Sequence, residues 1–121
     1  NYLFNLFQNG LSRYWDDNNL LRSNFTNHTE NISILKYENT DFYKWHFDHH
    51  WSKPRTISMI LLLNNDYEGG NLCFKEPNQD DEIIIDKKPN RLIIWPSNFL
   101  YPHAVKPVTK GTRYSVVCWA L

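Results

Sequence analysis

Apolar positions Leu6, Phe7, Leu11, Tyr14, Trp15, Leu20 and Leu21 recur at the spacing that lines one face of a helix, so the chain predicts a helix over Phe4–Leu21. Asn9 and Gly10 are poor helix formers in its middle and mark an expected break. The polar stretch Ser23 to Asn31 reads as a loop, with His28 on the surface. From Ile32 the period changes. Short apolar runs separated by turn residues predict strands over Ile32–Tyr37, Asp41–Phe47, Thr56–Leu63, Leu72–Phe74, Glu82–Asp86, Arg91–Trp95, His103–Val105 and Arg113–Trp119. Glu38-Asn39-Thr40 forms a turn, and Asn64 to Gly70 ends the strongest strand with paired glycines that permit positive φ. Short strands throughout and no helical period after residue 31 indicate a mainly β sandwich or jelly roll, with a helix packed on its outside. Residues 1–31 then form a helix and loop supporting the sheet, and 32–121 the β core of a single domain.

Composition narrows the class of function. The 121 residues carry 13 basic and 13 acidic side chains, and zero net charge removes the simplest argument for a nucleic-acid partner. No apolar run approaches the roughly 20 residues that span a bilayer, so no membrane partner is expected; the longest, Ile57 to Leu63, suits a buried strand. Cys73 and Cys118 lie in apolar segments and read as buried free thiols, which points to a reducing, cytoplasmic setting. Asn-x-Ser/Thr triplets at Asn24, Asn27 and Asn31 read as products of an Asn-rich composition, since no secretory leader is visible. The chain starts at Asn1 rather than Met, which leaves room for residues before it.

Histidine and carboxylate density peaks over Tyr43-Lys-Trp45-His46-Phe-Asp48-His49-His50-Trp51. Residues two apart on a strand share a face, so His46 and Asp48 can present adjacent metal ligands. Asp48 and His50 are also two apart, and parity does not choose between His46 and His50. A third ligand must come from elsewhere, and His103 is the distant histidine of the β region. Two imidazoles and one carboxylate on one face of Fe(II) or Mn(II) leave positions open for an organic ligand and dioxygen. Arg113 opens an apolar strand in which residues 113, 115, 117 and 119 share a face. A guanidinium beside Val117 and Trp119 is costly unless an anion pairs with it, and a dicarboxylate supplies such a partner. The competing reading places Arg113 at the strand end with its head in water.

These signals converge on a family. Tyr43-x-x-His46-x-Asp48, Arg55-Thr-Ile-Ser-Met-Ile-Leu-Leu-Leu-Asn64, Tyr67-Glu-Gly-Gly-Asn-Leu72, Trp95-Pro-Ser, His103-x-Val-x-Pro-Val108 and Gly111-Thr-Arg113-Tyr-Ser-Val stand in the order of the prolyl-hydroxylase-like 2-oxoglutarate/Fe(II) oxygenases, including the PKHD-type hydroxylases. The chain resembles that family from about Tyr37 to Leu121, and the ten residues from His103 to Arg113 match its spacing. The resemblance implies a double-stranded β-helix of jelly-roll or cupin-like form. It implies Fe(II) on His46, Asp48 and His103, with His46 rather than His50 as first ligand. It also implies 2-oxoglutarate held through its distal carboxylate by Arg113, and a cosubstrate-pocket tyrosine at Tyr37. One departure stands out: oxygen-sensing prolyl hydroxylases carry a 2-oxoglutarate-binding tyrosine where this chain has Leu62. Another hydroxyl, Tyr37 or Ser115, is then expected to assist Arg113, unless Arg113 acts alone.

The implied reaction is hydroxylation of a substrate C–H by dioxygen, with 2-oxoglutarate converted to succinate and carbon dioxide and ascorbate serving as reductant. Trp119, Ile94 and Val105 are candidate pocket walls. The candidate substrate rim comprises Trp45, His50, Trp51 and Tyr101, aromatic groups suited to a peptide. A peptidyl proline is the favoured substrate, with a free amino acid or another side chain as the alternative. A β-helix that binds a partner without catalysis, or a cupin-type dioxygenase without 2-oxoglutarate, belongs to a different class. Loss of a ligand or of Arg113 would mark the former, and extra histidine ligands the latter.

Overall fold

The computed structural model describes residues 1–20 and 28–121. Among the described residues one helix, α1 (Tyr2–Asp17), precedes ten strands: β1 (Ser33–Tyr37), β2 (Tyr43–His46), β3 (Ile57–Leu62), β4 (Glu68–Gly69), β5 (Leu72–Phe74), β6 (Ile83–Ile84), β7 (Leu92–Pro96), β8 (His103–Val105), β9 (Val108–Lys110) and β10 (Arg113–Ala120). They form a four-stranded sheet in the order β1-β10-β3-β7, a second in the order β2-β8-β5-β6, and the small pair β4-β9. All pairings are antiparallel. This is a mainly β jelly roll with one helix outside it, as the alternation of apolar runs and turns predicts.

The strand alternation explains the layers. On β3, Ile57, Met59 and Leu61 face α1, where they meet Phe7, Leu11 and Trp15. On β10, Val116, Cys118 and Ala120 join the same cluster. The opposite faces of these strands and of the second sheet enclose Ile60, Leu72, Trp95, Val105 and Val117. Strand β3 is therefore buried on both sides along its whole length, which accounts for an apolar run broken only by Ser58. Glu30 and Arg55 form a bidentate ion pair, and the Arg55 guanidinium lies 3.8 Å from the centroid of the Trp119 ring.

Several expectations are corrected. The helix starts earlier, at Tyr2, because Asn1 caps it by accepting from the Leu3 and Phe4 N–H groups, and it ends at Asp17. Asn9 and Gly10 do not break it. Gly10 faces β7, and a Cβ there would lie 2.5 Å from Leu92 Cδ2, so the glycine admits a close helix–sheet approach. Ile94 packs against the helix cluster and does not wall the inner cavity. The expected loop lies in part outside the described residues, as do Asn24 and Asn27. Within its described part Thr29 bridges to Ala120, and His28 is exposed. Strands β4 and β9 were not expected; they bring Gly69 (φ 71°) against the Pro107 carbonyl. Cys73 and Cys118 are buried free thiols. Among the described residues no helix is long and apolar enough to cross a membrane.

Candidate active site

His46 ends β2 and stands opposite His103, the first residue of β8. Asp48 follows His46 by two residues, and its main chain is drawn to the end of β7 by an N–H bond to the Ser97 carbonyl at 3.1 Å. One donor atom from each of His46, Asp48 and His103 lies within 4.8 Å of the others, a cluster that can hold a metal ion. His46 Nε2 is 3.2 Å from Asp48 Oδ1, and His103 Nε2 is 3.4 Å from Asp48 Oδ2. His103 and Asp48 are buried, and His46 is half-buried.

Both imidazoles are oriented from behind. His46 Nδ1 is 2.7 Å from the Lys44 carbonyl and His103 Nδ1 is 2.9 Å from the Tyr101 carbonyl. A carbonyl only accepts, so each Nδ1 carries a proton and donates it, leaving Nε2, which faces the cluster, as the nitrogen that bonds Asp48 here and can ligate a metal. Asp48 Oδ2 accepts from Ser58 Oγ at 2.5 Å and from Trp119 Nε1 at 3.1 Å. Burial alone would raise the Asp48 pKa. Hydrogen bonds from His103, His46 and Ser58 and the nearby His103 charge outweigh it and hold the carboxyl well below the usual carboxylate range. A depressed folded pKa stabilises above the unfolded value of about 3.9 and is lost only as pH falls toward the folded one, so Asp48 is ionised at neutral pH.

Arg113 opens β10 and pairs in register with Tyr37 on β1. Its side chain is fully buried, 0% exposed, against the reading that its head reaches water. Nη1 donates to Ser115 Oγ at 2.9 Å, and the guanidinium lies 5.2 Å from the Tyr37 ring centroid. Among the described residues Nε and Nη2 have no hydrogen-bond partner. Burial lowers the pKa of Arg113, opposed by Tyr67 and Tyr37. Tyr67 flanks the same guanidinium. A Cβ built on Gly70 (φ 63°) would sit 3.0 Å from Tyr67 Cε2 and 3.3 Å from Arg113 Cδ, so the glycine makes room for both. Leu62, where some relatives of the family carry tyrosine, is buried and pairs with Ser115. Tyr67, in the Tyr67-Glu-Gly-Gly block, is not evident as a partner of Arg113 from sequence, because only the folded chain brings the residue before β4 to the start of β10.

A cavity of about 330 Å³ lies beside the cluster, with Tyr37, His46, Asp48, His103, Val105 and Trp119 among its walls; Arg113 lies behind Tyr37 and does not line it. Of the expected rim, His50 lies outside the cluster, in a bridge with Lys53, and its Nδ1 contacts Ser52 Oγ at 2.7 Å. Trp51 is 86% exposed, and Tyr101 borders a neighbouring apolar groove that also touches Trp95. Trp45 does not line the cavity: it lies beneath the Lys75 and Lys106 ammonium groups, at 4.6 and 5.3 Å, on the face of β2 opposite His46.

The donor set suits an octahedral Fe(II) with open positions rather than a thiolate-bound structural zinc. The two unpartnered, fully buried N–H groups of Arg113 suit an anionic ligand. Comparisons with known proteins agree with this chemistry. The family model described as the 2OG-Fe(II) oxygenase superfamily matches residues 32–121. A PKHD-type hydroxylase of Synechococcus sp. (strain CC9902) is 37% identical over 92 residues, 73% of this chain and 40% of that protein. Prolyl 3-hydroxylase 2 of Homo sapiens is 37% identical over 75 residues, 57% of this chain and 11% of that protein. The crystal structure of a Pseudomonas putida prolyl-4-hydroxylase superposes with a TM-score of 0.64 at 25% identity, covering 74% of this chain and 49% of that one. A viral collagen prolyl hydroxylase from Paramecium Bursaria Chlorella virus-1, solved with 2OG, shares the fold at a TM-score of 0.71 and 16% identity, covering 98% of this chain and 72% of that one. The chain thus spans less than half the length of these sequence relatives.

Proposed function

The chain belongs to the 2OG-Fe(II) oxygenase superfamily, and on that premise we propose that it hydroxylates a substrate C–H bond using Fe(II), 2-oxoglutarate and dioxygen, with a peptidyl proline as the favoured substrate. One observation carries the reading: the His46, Asp48 and His103 donor atoms converge beside a cavity that Tyr37 also lines, and Tyr37 covers a buried guanidinium with two unanswered N–H groups. The names of the relatives, PKHD-type hydroxylase and prolyl hydroxylase, support the choice of substrate.

In this proposal His46 Nε2, His103 Nε2 and one oxygen of Asp48 hold the metal. Arg113 pairs through Nε and Nη2 with the distal carboxylate of 2-oxoglutarate, in the planar fork geometry that a carboxylate matches. Bound iron and 2-oxoglutarate supply the oxidation, in which dioxygen places one atom in the substrate hydroxyl and one in succinate as carbon dioxide leaves. Tyr37 and Tyr67 wall the guanidinium and keep water from competing for it. Val105, Val117 and Trp119 keep the cavity apolar, which strengthens the ion pair. The carbonyls of Lys44 and Tyr101 hold the imidazole protons away from the metal side. Trp51, His50 and Tyr101 form the outer contact surface for the substrate. Residues 32–121 act as the catalytic core, with 1–31 in support. Free thiols at Cys73 and Cys118 favour a reducing compartment such as the cytoplasm. The cavity accepts one side chain or a small molecule, which keeps a free amino acid as the second reading.

The test is a screen of proline-containing peptides and free amino acids with Fe(II), 2-oxoglutarate and ascorbate, scoring succinate release and a mass gain of one oxygen. His46→Ala and Asp48→Ala are expected to abolish both signals, and His50→Ala to retain them. Full turnover in either of the first two variants would sink the ligand assignment.

A further inference from the structure

Asp48 is the only carboxylate in the cluster, and its two oxygens have unlike surroundings. We propose that Ser58 and Ser97 are positioning residues for Asp48: they commit Oδ2 to the protein and leave Oδ1 to the metal. The inference rests on reading His46, Asp48 and His103 as ligands.

Ser58 is the one polar side chain of β3, a strand buried on both faces, and it is 1% exposed. A hydroxyl in such a place destabilises the fold unless it is bonded, and an apolar residue would pack the position without that demand. The Ser58 hydroxyl is 2.5 Å from Asp48 Oδ2 and 2.8 Å from Ser97 Oγ. An ionised carboxylate only accepts, so the single Ser58 proton goes to Asp48, and Ser97, also 1% exposed, must donate to Ser58. Ser97 grips the same segment a second time. Its carbonyl accepts the Asp48 N–H at 3.1 Å and the His49 N–H at 2.9 Å. Main chain and side chain of Asp48 are thus both tied to the end of β7.

Trp119 Nε1 completes the arrangement with a 3.1 Å bond to the same oxygen. A carboxylate oxygen has about two lone-pair sites, so Ser58 and Trp119 occupy Oδ2, which His103 Nε2 approaches less closely, at 3.4 Å. Among the described residues Oδ1 has no hydroxyl or indole donor, only the contact with His46 Nε2 at 3.2 Å, an atom that itself faces the cluster. The result is a carboxylate with one oxygen committed to the protein and the other left for the metal. Metal-ligating carboxylates are tuned in this way by their outer partners, whose loss costs about 10–100-fold in metal affinity.

Co(II) titration of the purified, metal-stripped chain, followed by visible absorption, tests this with Ser58→Ala, Ser97→Ala and the double variant, each checked for native near-UV circular dichroism. Ser58→Ala is expected to bind Co(II) about 10–100-fold more weakly and to shift the Co(II) band, because the freed carboxylate changes its mode of ligation. Ser97→Ala is expected to lose less, and the double variant no more than Ser58→Ala, since Ser97 acts through Ser58. A folded Ser58→Ala protein with parental affinity and spectrum overturns the inference. If that variant does not fold, parental affinity and spectrum in Ser97→Ala overturn it equally. Unmodified chain that takes up no Co(II) overturns the metal-site reading, and this inference with it.

Discussion

Arg113 is a demanding residue, a guanidinium with no exposed surface whose Nη1 bonds Ser115 and whose Nε and Nη2 have no partner among the described residues. A buried donor left unsatisfied costs about 1–3 kcal/mol, so the ligand-free protein carries a penalty that an anion relieves. Methionine fills much of the same volume without the charge. The ligand-free Arg113→Met protein is expected to melt at or above the parent temperature, while 2-oxoglutarate raises the melting point of the parent alone. Stabilisation of the variant by 2-oxoglutarate would place the carboxylate elsewhere. The demand itself was legible in the sequence, as a cation on the same face as Val117 and Trp119. The choice of His46 over His50 was not legible from parity, because the chain leaves the strand after His46 and carries His50 into a bridge with Lys53. Ser58, Ser97 and Tyr67 were invisible for another reason: their contacts join residues far apart in sequence, such as the 39 positions between the two serines.

At the scale of elements, β10 does two jobs by alternation. Its odd-numbered side chains, Arg113, Ser115, Val117 and Trp119, face inward, and its even-numbered ones from Val116 to Ala120 rest on α1. The helix supports the site through the back of the sheet. Leu11, 1% exposed in that interface, is a direct probe. Leu11→Ala is expected to cost about 2–5 kcal/mol in denaturant unfolding, with Co(II) affinity of the folded protein unchanged. Weakened metal binding in the folded variant would show that the helix shapes the site. The alternation of β1, β3, β7 and β10 was readable because their apolar residues repeat over five to eight positions. Strands β4 and β9 were not, since two or three residues that include Glu68, Thr109 and Lys110 carry no period. Gly10 was misread because helix propensity sees only the helix, whereas Leu92 and Ile94 of β7 decide what fits there.

Taken as a whole, the molecule has no net charge to gather an anionic cosubstrate from a distance. In the proposed function the attraction resides in one buried cation, Arg113, and buried pairs are screened far less than surface ones. Affinity for 2-oxoglutarate, measured by calorimetry, is therefore expected to change by less than about threefold between low and high salt; a steep decline would mean that surface lysines do the binding. The hydrogen bonds from both imidazole Nδ1 atoms to carbonyls two residues earlier in the chain bear on how this protein comes to life. Each ring is turned by its own strand, so the tautomer and aim of the ligands are settled by chain folding and need no ion as template. Small zinc domains work the other way, gaining their structure from the metal. Chelator treatment of this chain should then leave its circular dichroism and cooperative melting in place, and iron added afterwards should restore binding without refolding. Under the proposed function, metal supply in the cell would set how much of the protein is active, not how much of it survives.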